Sequence, residues 1–157
     1  MPFARADQLA TVPADVRGSV VLVVDDESAW RTILETELHM LSYRPLLAAD
    51  GMEGISKAVE HDADVAIIDL ALPRLDGWRL LSELRIRGIS IPTIFFSVYP
   101  MGRSETEHPD VVACVSKLRG TAGLYALLPI AIRTKKHKKR RPGSAPPTSP
   151  QTSENAP

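Results

Sequence analysis

The sequence is short of several features that define whole classes of protein. It has one cysteine, Cys114, in 157 residues, so no disulfide forms within the chain and a reducing cytoplasm is the expected setting. No apolar run approaches the roughly 18 residues that a membrane span requires. The first residues also lack the basic-then-apolar pattern of a secretion signal. We therefore expect a cytoplasmic protein without a membrane span.

The formal net charge of zero conceals two segments of opposite sign. Residues 1–132 carry 18 acidic and 12 basic residues, whereas residues 133–157 carry seven basic residues and one acidic residue, Glu154. An acidic region is thus followed by a basic tail. The length suits one domain that buries a substantial core.

Four short apolar runs each lead to a reactive side chain. Apolar runs of this length, bounded by polar residues, predict buried strands. The runs and the residues that follow them are 20–24 with Asp25 and Asp26, 65–68 with Asp69, 94–96 with Ser97, and 111–116 with Lys117. In an open parallel sheet, ligands bind outside the carboxyl ends of the strands. Three carboxylates, a hydroxyl and an ammonium should therefore gather at one edge of the sheet.

Amphipathic segments alternate with these runs. Apolar residues at helical spacing predict helices over 28–41, 53–60, 75–87 and 121–133, and a further strand is predicted over 44–49. Strands that alternate with helices indicate an α/β fold, a parallel sheet with helices on both faces. Ser28 is the predicted N-cap of the first helix, and Pro129 is expected to kink the last helix or end it early.

The residues at the strand ends suit phosphoryl transfer to a carboxylate. Three neighbouring carboxylates at an apolar edge repel one another unless a cation lies between them. Mg²⁺ fits this set because it prefers oxygen ligands and bridges to phosphate oxygens. A metal-held aspartate is a competent nucleophile toward phosphorus. Lys117 and Ser97 can supply a charge and a hydroxyl to the transferred group.

In this order, the residues resemble the receiver domain of two-component response regulators over about residues 19–132. The matching parts are the acidic-pair motif at 23–28, the phosphoacceptor segment at 69–73, the loop at 76–78, the switch hydroxyl at Ser97 and the family lysine at Lys117. The resemblance covers nearly the whole predicted domain.

The resemblance implies a flavodoxin-like, doubly wound sheet of five parallel strands in the order 2-1-3-4-5. It also implies that Asp69 accepts a phosphoryl group from a histidine kinase or a phosphotransfer protein, and that Ser97 and Lys117 bind the phosphoryl oxygens. The implied ligands of Mg²⁺ are Asp25, Asp26, Asp69 and the main-chain carbonyl of Ala71. Such a phosphoprotein promotes its own phosphoryl transfer but is not a dedicated enzyme.

Three positions differ from the family pattern. Cys114 stands where Tyr or Phe is usual, Leu118 where Pro is usual, and Val98 where a small residue is usual. They favour an alternative, a receiver-like interaction module that works without phosphorylation. Because no residues remain for a further output domain, our main expectation is a stand-alone receiver that signals by binding another, unidentified protein. A homodimer stays open.

The segments that flank the predicted receiver domain, 19–132, differ from it in composition. Residues 1–18 are interpreted as a loose leader, and 133–157 as a tail that is first basic and then rich in Pro, Ser and Thr. We expect 142–157 to be disordered. The basic block 135–141 either contacts an anionic partner such as nucleic acid or is a solvated extension. No aromatic is interleaved in it, so base stacking has no support.

Overall fold

The computed structural model describes residues 11–98 and 108–140, the last residue by its backbone alone. Its strands are β1 (Val20–Val24), β2 (Arg44–Ala48), β3 (Val65–Ile68), β4 (Thr93–Ser97) and β5 (Val111–Ser116). They form one sheet in the order β2-β1-β3-β4-β5, and every neighbouring pair is parallel. The predicted flavodoxin-like sheet is confirmed.

The strands alternate with helices. These are α1 (Ser28–Met40), α2 (Gly51–Glu60), α3 (Gly77–Ile86) and α4 (Ala122–Arg140). The prediction that Ser28 is the N-cap of α1 is wrong. Glu27 is the N-cap, makes no side-chain capping hydrogen bond, and leaves Ser28 as the first helical residue.

Helix α2 begins two residues earlier than the sequence pattern predicted. The Asp50 carboxylate accepts a hydrogen bond of 2.8 Å from the main-chain N–H of Glu53. The Glu53 carboxylate in turn accepts one of 2.8 Å from the N–H of Ala49. The Asp50 carboxylate thus caps an N–H group that a helix start otherwise leaves unpaired, and the Glu53 carboxylate holds the residue before the cap. The helix therefore begins at Gly51.

The sheet lies between two layers of helices because alternate residues of a strand face opposite sides. Val21 and Val23 pack in the core beneath α1 and α4. Leu22 and Val24 pack in the core beneath α2 and α3. Full burial of one such side chain stabilises the fold by roughly 1.5–3 kcal/mol. Helices therefore cover both faces of the sheet, and the polar side chains that can reach a ligand lie at the edges where the strands end.

Helix α4 continues to Arg140, past the end predicted near Arg133. Pro129 lies inside the helix and does not end it. At the other end of the chain, a short 3-10 helix, Ala14–Val16, precedes the first strand. Val16 is fully buried in the core beneath α1 and α4. Ordered structure thus extends beyond the segment 19–132 on both sides.

Acidic residues far away in the sequence hold the basic end of α4. Arg133 donates two hydrogen bonds of 3.0 Å to the carboxylate of Asp15. Lys135 and Lys139 pair with the carboxylate of Asp62 at 2.6 Å and 2.5 Å. Basic residues near the carboxyl end of a helix also interact favourably with its dipole. Part of the basic block therefore lies against the domain.

The expected disorder of 142–157 lies outside the described residues. Across the parts of the chain that the structure describes, no helix is both long enough and apolar enough to cross a membrane.

Candidate functional site

The carboxyl ends of β1 and β3 lie side by side at one edge of the sheet. Val24 is in register with Ile68, and the N–H of Asp69 donates a hydrogen bond of 2.9 Å to the carbonyl of Val24. This pairing puts the next residues, Asp25 and Asp69, beside each other. Both are nearly buried, at 2% and 4% exposure.

Lys117 follows β5 and reaches both carboxylates. Its Nζ lies 2.7 Å from Oδ2 of Asp25 and 2.7 Å from Oδ2 of Asp69. Glu27 is a third, more distant partner at 3.7 Å. The lysine side chain is 1% exposed, so the ammonium is removed from water and depends on these carboxylates. Three residues singled out from the sequence thus meet at one point.

Four carboxylates form a cluster around this point. Asp25, Asp26, Glu27 and Asp69 offer oxygens that all lie within 4.8 Å of one another. An all-oxygen set of this size suits Mg²⁺, which binds through a few carboxylates and keeps several waters. Ala71 lies close by, since its N–H donates a hydrogen bond of 3.0 Å to Oδ1 of Asp69. The residues present therefore fit the ion.

Burial and pairing act in opposite directions on the pKa of Asp25 and of Lys117, and both pKa values are raised as a result. Burial raises the pKa of Asp25, although hydrogen bonds from Lys117 and from the N–H of Glu27 work against this rise. Burial alone would lower the pKa of Lys117, but its bonds to Asp25 and Asp69 outweigh burial and raise that pKa. The ammonium is therefore held in its charged form between the two aspartates.

Ser97 is at the same edge of the sheet. It ends β4, is 3% exposed, and is in register with Ser116, the residue before Lys117. The structure thus brings the predicted hydroxyl to the neighbouring strand end. This position was predicted from the sequence, because the apolar run 94–96 ends at Ser97.

Helix α3 begins at Gly77, two residues later than predicted, because the side chain of Asp76 caps it. The helix start packs closely on the strand end that carries Asp69. A Cβ at Gly77 would lie 2.8 Å from the main-chain oxygen of Asp69 and 3.0 Å from the ring of Phe95. Such a contact is too short for a side chain, so the close approach requires glycine.

Sequence reasoning missed three side chains near the cluster. Glu27 extends the acidic pair by one residue, a signal that was visible. Arg31 donates a hydrogen bond of 2.8 Å from Nη1 to the main-chain carbonyl of Asp25. Trp30 lies within the helix predicted over 28–41, and its ring centroid is 5.4 Å from Nζ of Lys117. Nothing in the local pattern indicates the last two contacts.

The three positions that differ from the family pattern lie on the described strands or next to them. Cys114 is half-buried in β5 and packs against the core beneath α2 and α3. Val98 is 43% exposed and Leu118 is 82% exposed. Replacement of the usual residues therefore leaves two apolar side chains open to solvent beside the site.

A comparison with protein families decides how this geometry is classified. The family model of the response regulator receiver domain matches residues 21–117, from β1 to Lys117. The chain belongs to the response regulator receiver domain family. Receiver domains are parts of two-component signalling proteins, and the match includes every strand of the sheet but the first residue of β1.

Curated relatives of this receiver domain are larger proteins. The "Probable transcriptional regulator ycf27" of Cyanidium caldarium is 33% identical over 113 residues, which are 72% of this chain and 41% of that protein. The "Regulator of RpoS" of Escherichia coli is 34% identical over 80 residues, 51% of this chain and 24% of that protein. The chain therefore spans between about a quarter and two fifths of these relatives.

Solved receiver domains have the same fold. The receiver domain of the Francisella response regulator 1452 is 25% identical, with a TM-score of 0.67, and the match covers 74% of this chain and 98% of that one. The response regulator protein TrrA from Thermotoga maritima, solved in complex with Mg(2+)-BeF, is 26% identical, with a TM-score of 0.61. That match covers 77% of this chain and 97% of TrrA.

Proposed function

We propose that this receiver domain accepts a phosphoryl group on Asp69 from a histidine kinase or a phosphotransfer protein. One observation carries the proposal: two buried aspartates converge on the ammonium of Lys117, which lies 2.7 Å from each. A nucleophilic carboxylate beside a fixed cation, at the ligand-binding edge of a parallel sheet, is the arrangement that phosphoryl transfer needs.

The chemistry assigns one role to each residue. A carboxylate oxygen of Asp69 attacks phosphorus, the new O–P bond forms as the N–P bond of a phosphohistidine breaks, and the imidazole nitrogen keeps the electron pair. Lys117 moves little, because its ammonium already lies against Oδ2 of Asp69, and it then pairs with a phosphoryl oxygen. The hydroxyl of Ser97 donates a hydrogen bond to another phosphoryl oxygen.

Mg²⁺ is the cofactor of this proposal. Asp25, Asp26, Asp69 and the carbonyl of Ala71 are the ligands we assign to it. When bound there, the ion would supply positive charge that neutralises the phosphoryl oxygens. Support comes from the carboxylate oxygens that lie within 4.8 Å of one another, and from TrrA, which was solved with Mg(2+)-BeF.

Acetyl phosphate tests the phosphoacceptor directly. With Mg²⁺ present, the wild type should gain the mass of one phosphoryl group, and hydroxylamine should remove it because an acyl phosphate is labile. Asp69→Asn should gain none, since an amide is not a nucleophile. Asp64→Asn is a matched control: Asp64 lies at the other end of β3, where it accepts a hydrogen bond of 2.8 Å from Val20. Label on Asp69→Asn would overturn the assignment.

We infer that the output is binding to another protein. The alternative, a module that works without phosphorylation, is favoured by the replacements at Cys114, Val98 and Leu118. A pull-down with beryllofluoride and Mg²⁺ separates the two functions. Partners retained only with the mimic, and lost in Asp69→Ala, favour the switch. The same partners retained without the mimic favour the module.

A nucleic-acid partner for the basic block 135–141 has less support. Lys135 and Lys139 already pair with Asp62. If the block nevertheless binds nucleic acid, a mobility shift should weaken with salt and disappear when the tail is deleted after Ile132. A shift that survives this deletion places the contact elsewhere on the domain.

A further inference from the structure

The ammonium of Lys117 has an aromatic side as well as an acidic one. The carboxylates of Asp25 and Asp69 lie 2.7 Å away. The ring centroids of Trp30 and Phe96 lie 5.4 Å and 6.0 Å from Nζ. The two rings meet edge to face, with centroids 5.1 Å apart and planes at 88°. Two anions and two aromatic rings therefore surround the cation.

Both rings belong to the core. Phe96 is fully buried and Trp30 is 9% exposed. A cation within about 6 Å of a ring centroid is attracted to the ring face, most strongly to that of tryptophan, and the attraction grows when water is excluded. Removal of water also strengthens the hydrogen bonds that the ammonium donates to the carboxylates.

We propose that Trp30 is a positioning residue for phosphoryl transfer, which holds the Lys117 ammonium against the phosphoacceptor Asp69. The proposal rests on the function proposed above. Lysine has a flexible four-carbon chain, and a cation stabilises developing charge best when it is already in place. Without the indole ring, the ammonium keeps on its apolar side the more distant ring of Phe96, at 6.0 Å, and transfer should be slower.

The second tryptophan provides a matched control. Trp78 packs on Phe95, with ring centroids 4.7 Å apart. Phe95 belongs to the core beneath α2 and α3, and Phe96 to the core beneath α1 and α4. The two tryptophans thus pack on adjacent residues of β4 but on opposite faces of the sheet. A general effect of core packing should appear at both, whereas the positioning effect should appear at Trp30 alone.

The first test measures the rate of labelling by acetyl phosphate at saturating Mg²⁺. Trp30→Leu removes the ring face and should slow labelling by about 5- to 30-fold, the range expected for a desolvated cation–π contact. Trp30→Phe keeps a ring and should recover most of the rate. Trp78→Leu should react like the wild type. Urea unfolding shows whether each variant is folded in the assay.

Two outcomes would overturn the proposal. If Trp30→Leu is labelled at the wild-type rate, Trp30 has no positioning role. If labelling is slowed equally in Trp30→Leu and in Trp30→Phe, the effect comes from packing alone. A wild type that accepts no label refutes the function proposed for Asp69 instead. The two failures are therefore distinguishable.

Fluorescence gives a second test with Trp30 in place. In a Trp78→Phe background, Trp30 is the remaining tryptophan. Its emission should shift when Lys117 is replaced by Met, because the charge beside the ring is lost, and also when Mg²⁺ with beryllofluoride binds, because new charges then lie beside the ammonium. Emission that is the same with Lys117 and with Met would overturn the proposal, whatever the labelling rates.

Discussion

Lys117→Met should destabilise the domain strongly in the absence of a divalent cation. Lys117 is 1% exposed and stands between two aspartates whose side chains are 3% and 5% exposed. Methionine nearly preserves the length and apolar character of the side chain but carries no charge. The substitution therefore leaves two buried carboxylates facing each other without a cation.

The magnitude follows from what it costs to break a buried ion pair. Removal of one partner costs about 3–5 kcal/mol, because the other charge stays buried and uncompensated. Here one cation serves both Asp25 and Asp69, so the upper part of that range is expected. Domains of this kind are stable by roughly 5–15 kcal/mol. The substitution should therefore remove about a third or more of the folding free energy.

Urea unfolding followed by circular dichroism measures this loss at neutral pH with a chelator present. With a slope of about 1–3 kcal/mol per molar urea, the midpoint should fall by on the order of 2 M. Lys57→Met is the control, because Lys57 pairs with Glu53 at 3.6 Å on the surface and should change stability by less than about 0.5 kcal/mol.

Added Mg²⁺ should then stabilise Lys117→Met more than the wild type, since ligand binding stabilises the folded state and the variant's carboxylates have lost their competing ammonium. The reasoning is refuted if Lys117→Met unfolds at the wild-type midpoint without metal. Equal stabilisation of both proteins by Mg²⁺ would show that the lysine and the ion do not share these carboxylates.

Three further predictions concern other buried or paired groups. Tyr125 donates a hydrogen bond to the buried Glu37, so Tyr125→Phe should cost about 1–3 kcal/mol in urea unfolding. Tyr43→Phe, which removes a buried hydroxyl that has no partner among the described residues, should be neutral or stabilising by about 1 kcal/mol. The pKa of Asp62 is lowered from 3.8 to about 2 by its bonds to lysines of α4. This depressed carboxyl pKa adds stability above about pH 4, which is lost as the pH falls through about 2. This contribution to stability is only a fraction of a kcal/mol because the side chain is 68% exposed. Carbon-13 NMR should give that pKa, and Asp62→Asn should speed hydrogen exchange over 134–140; an ordinary pKa and unchanged exchange would contradict the pairing.

The sheet and the positions of the candidate site residues followed from local patterns. β1 and β3 occupy the predicted residues because each is a short apolar run, buried on both faces, that ends at an aspartate. Parallel pairing then puts the carboxyl ends of the strands at one edge of the sheet. The order of strands and helices was therefore enough to predict that Asp25, Asp69 and Lys117 lie close together. The start of α2 could also have been predicted from Asp50, whose carboxylate caps the helix, but helical periodicity alone does not reveal a cap.

The remaining features depend on contacts between distant residues. Helix α4 passes its predicted end, and Arg133 within it pairs with Asp15, 118 residues away. No local signal reveals such a partner. The ring of Trp30 meets Lys117 only because α1, β4 and β5 pack together. Helical spacing turns this tryptophan inward, but it does not say which groups it contacts.

The most direct test of the account is to locate the phosphoryl group after labelling. Wild-type protein is treated with acetyl phosphate and Mg²⁺, the acyl phosphate is reduced with borohydride, and the peptides are sequenced by mass spectrometry. The reduced residue should be Asp69, and a chelator should prevent the reaction. Reduction at another carboxylate, or no reduction under conditions in which calorimetry shows Mg²⁺ to be bound, would contradict it.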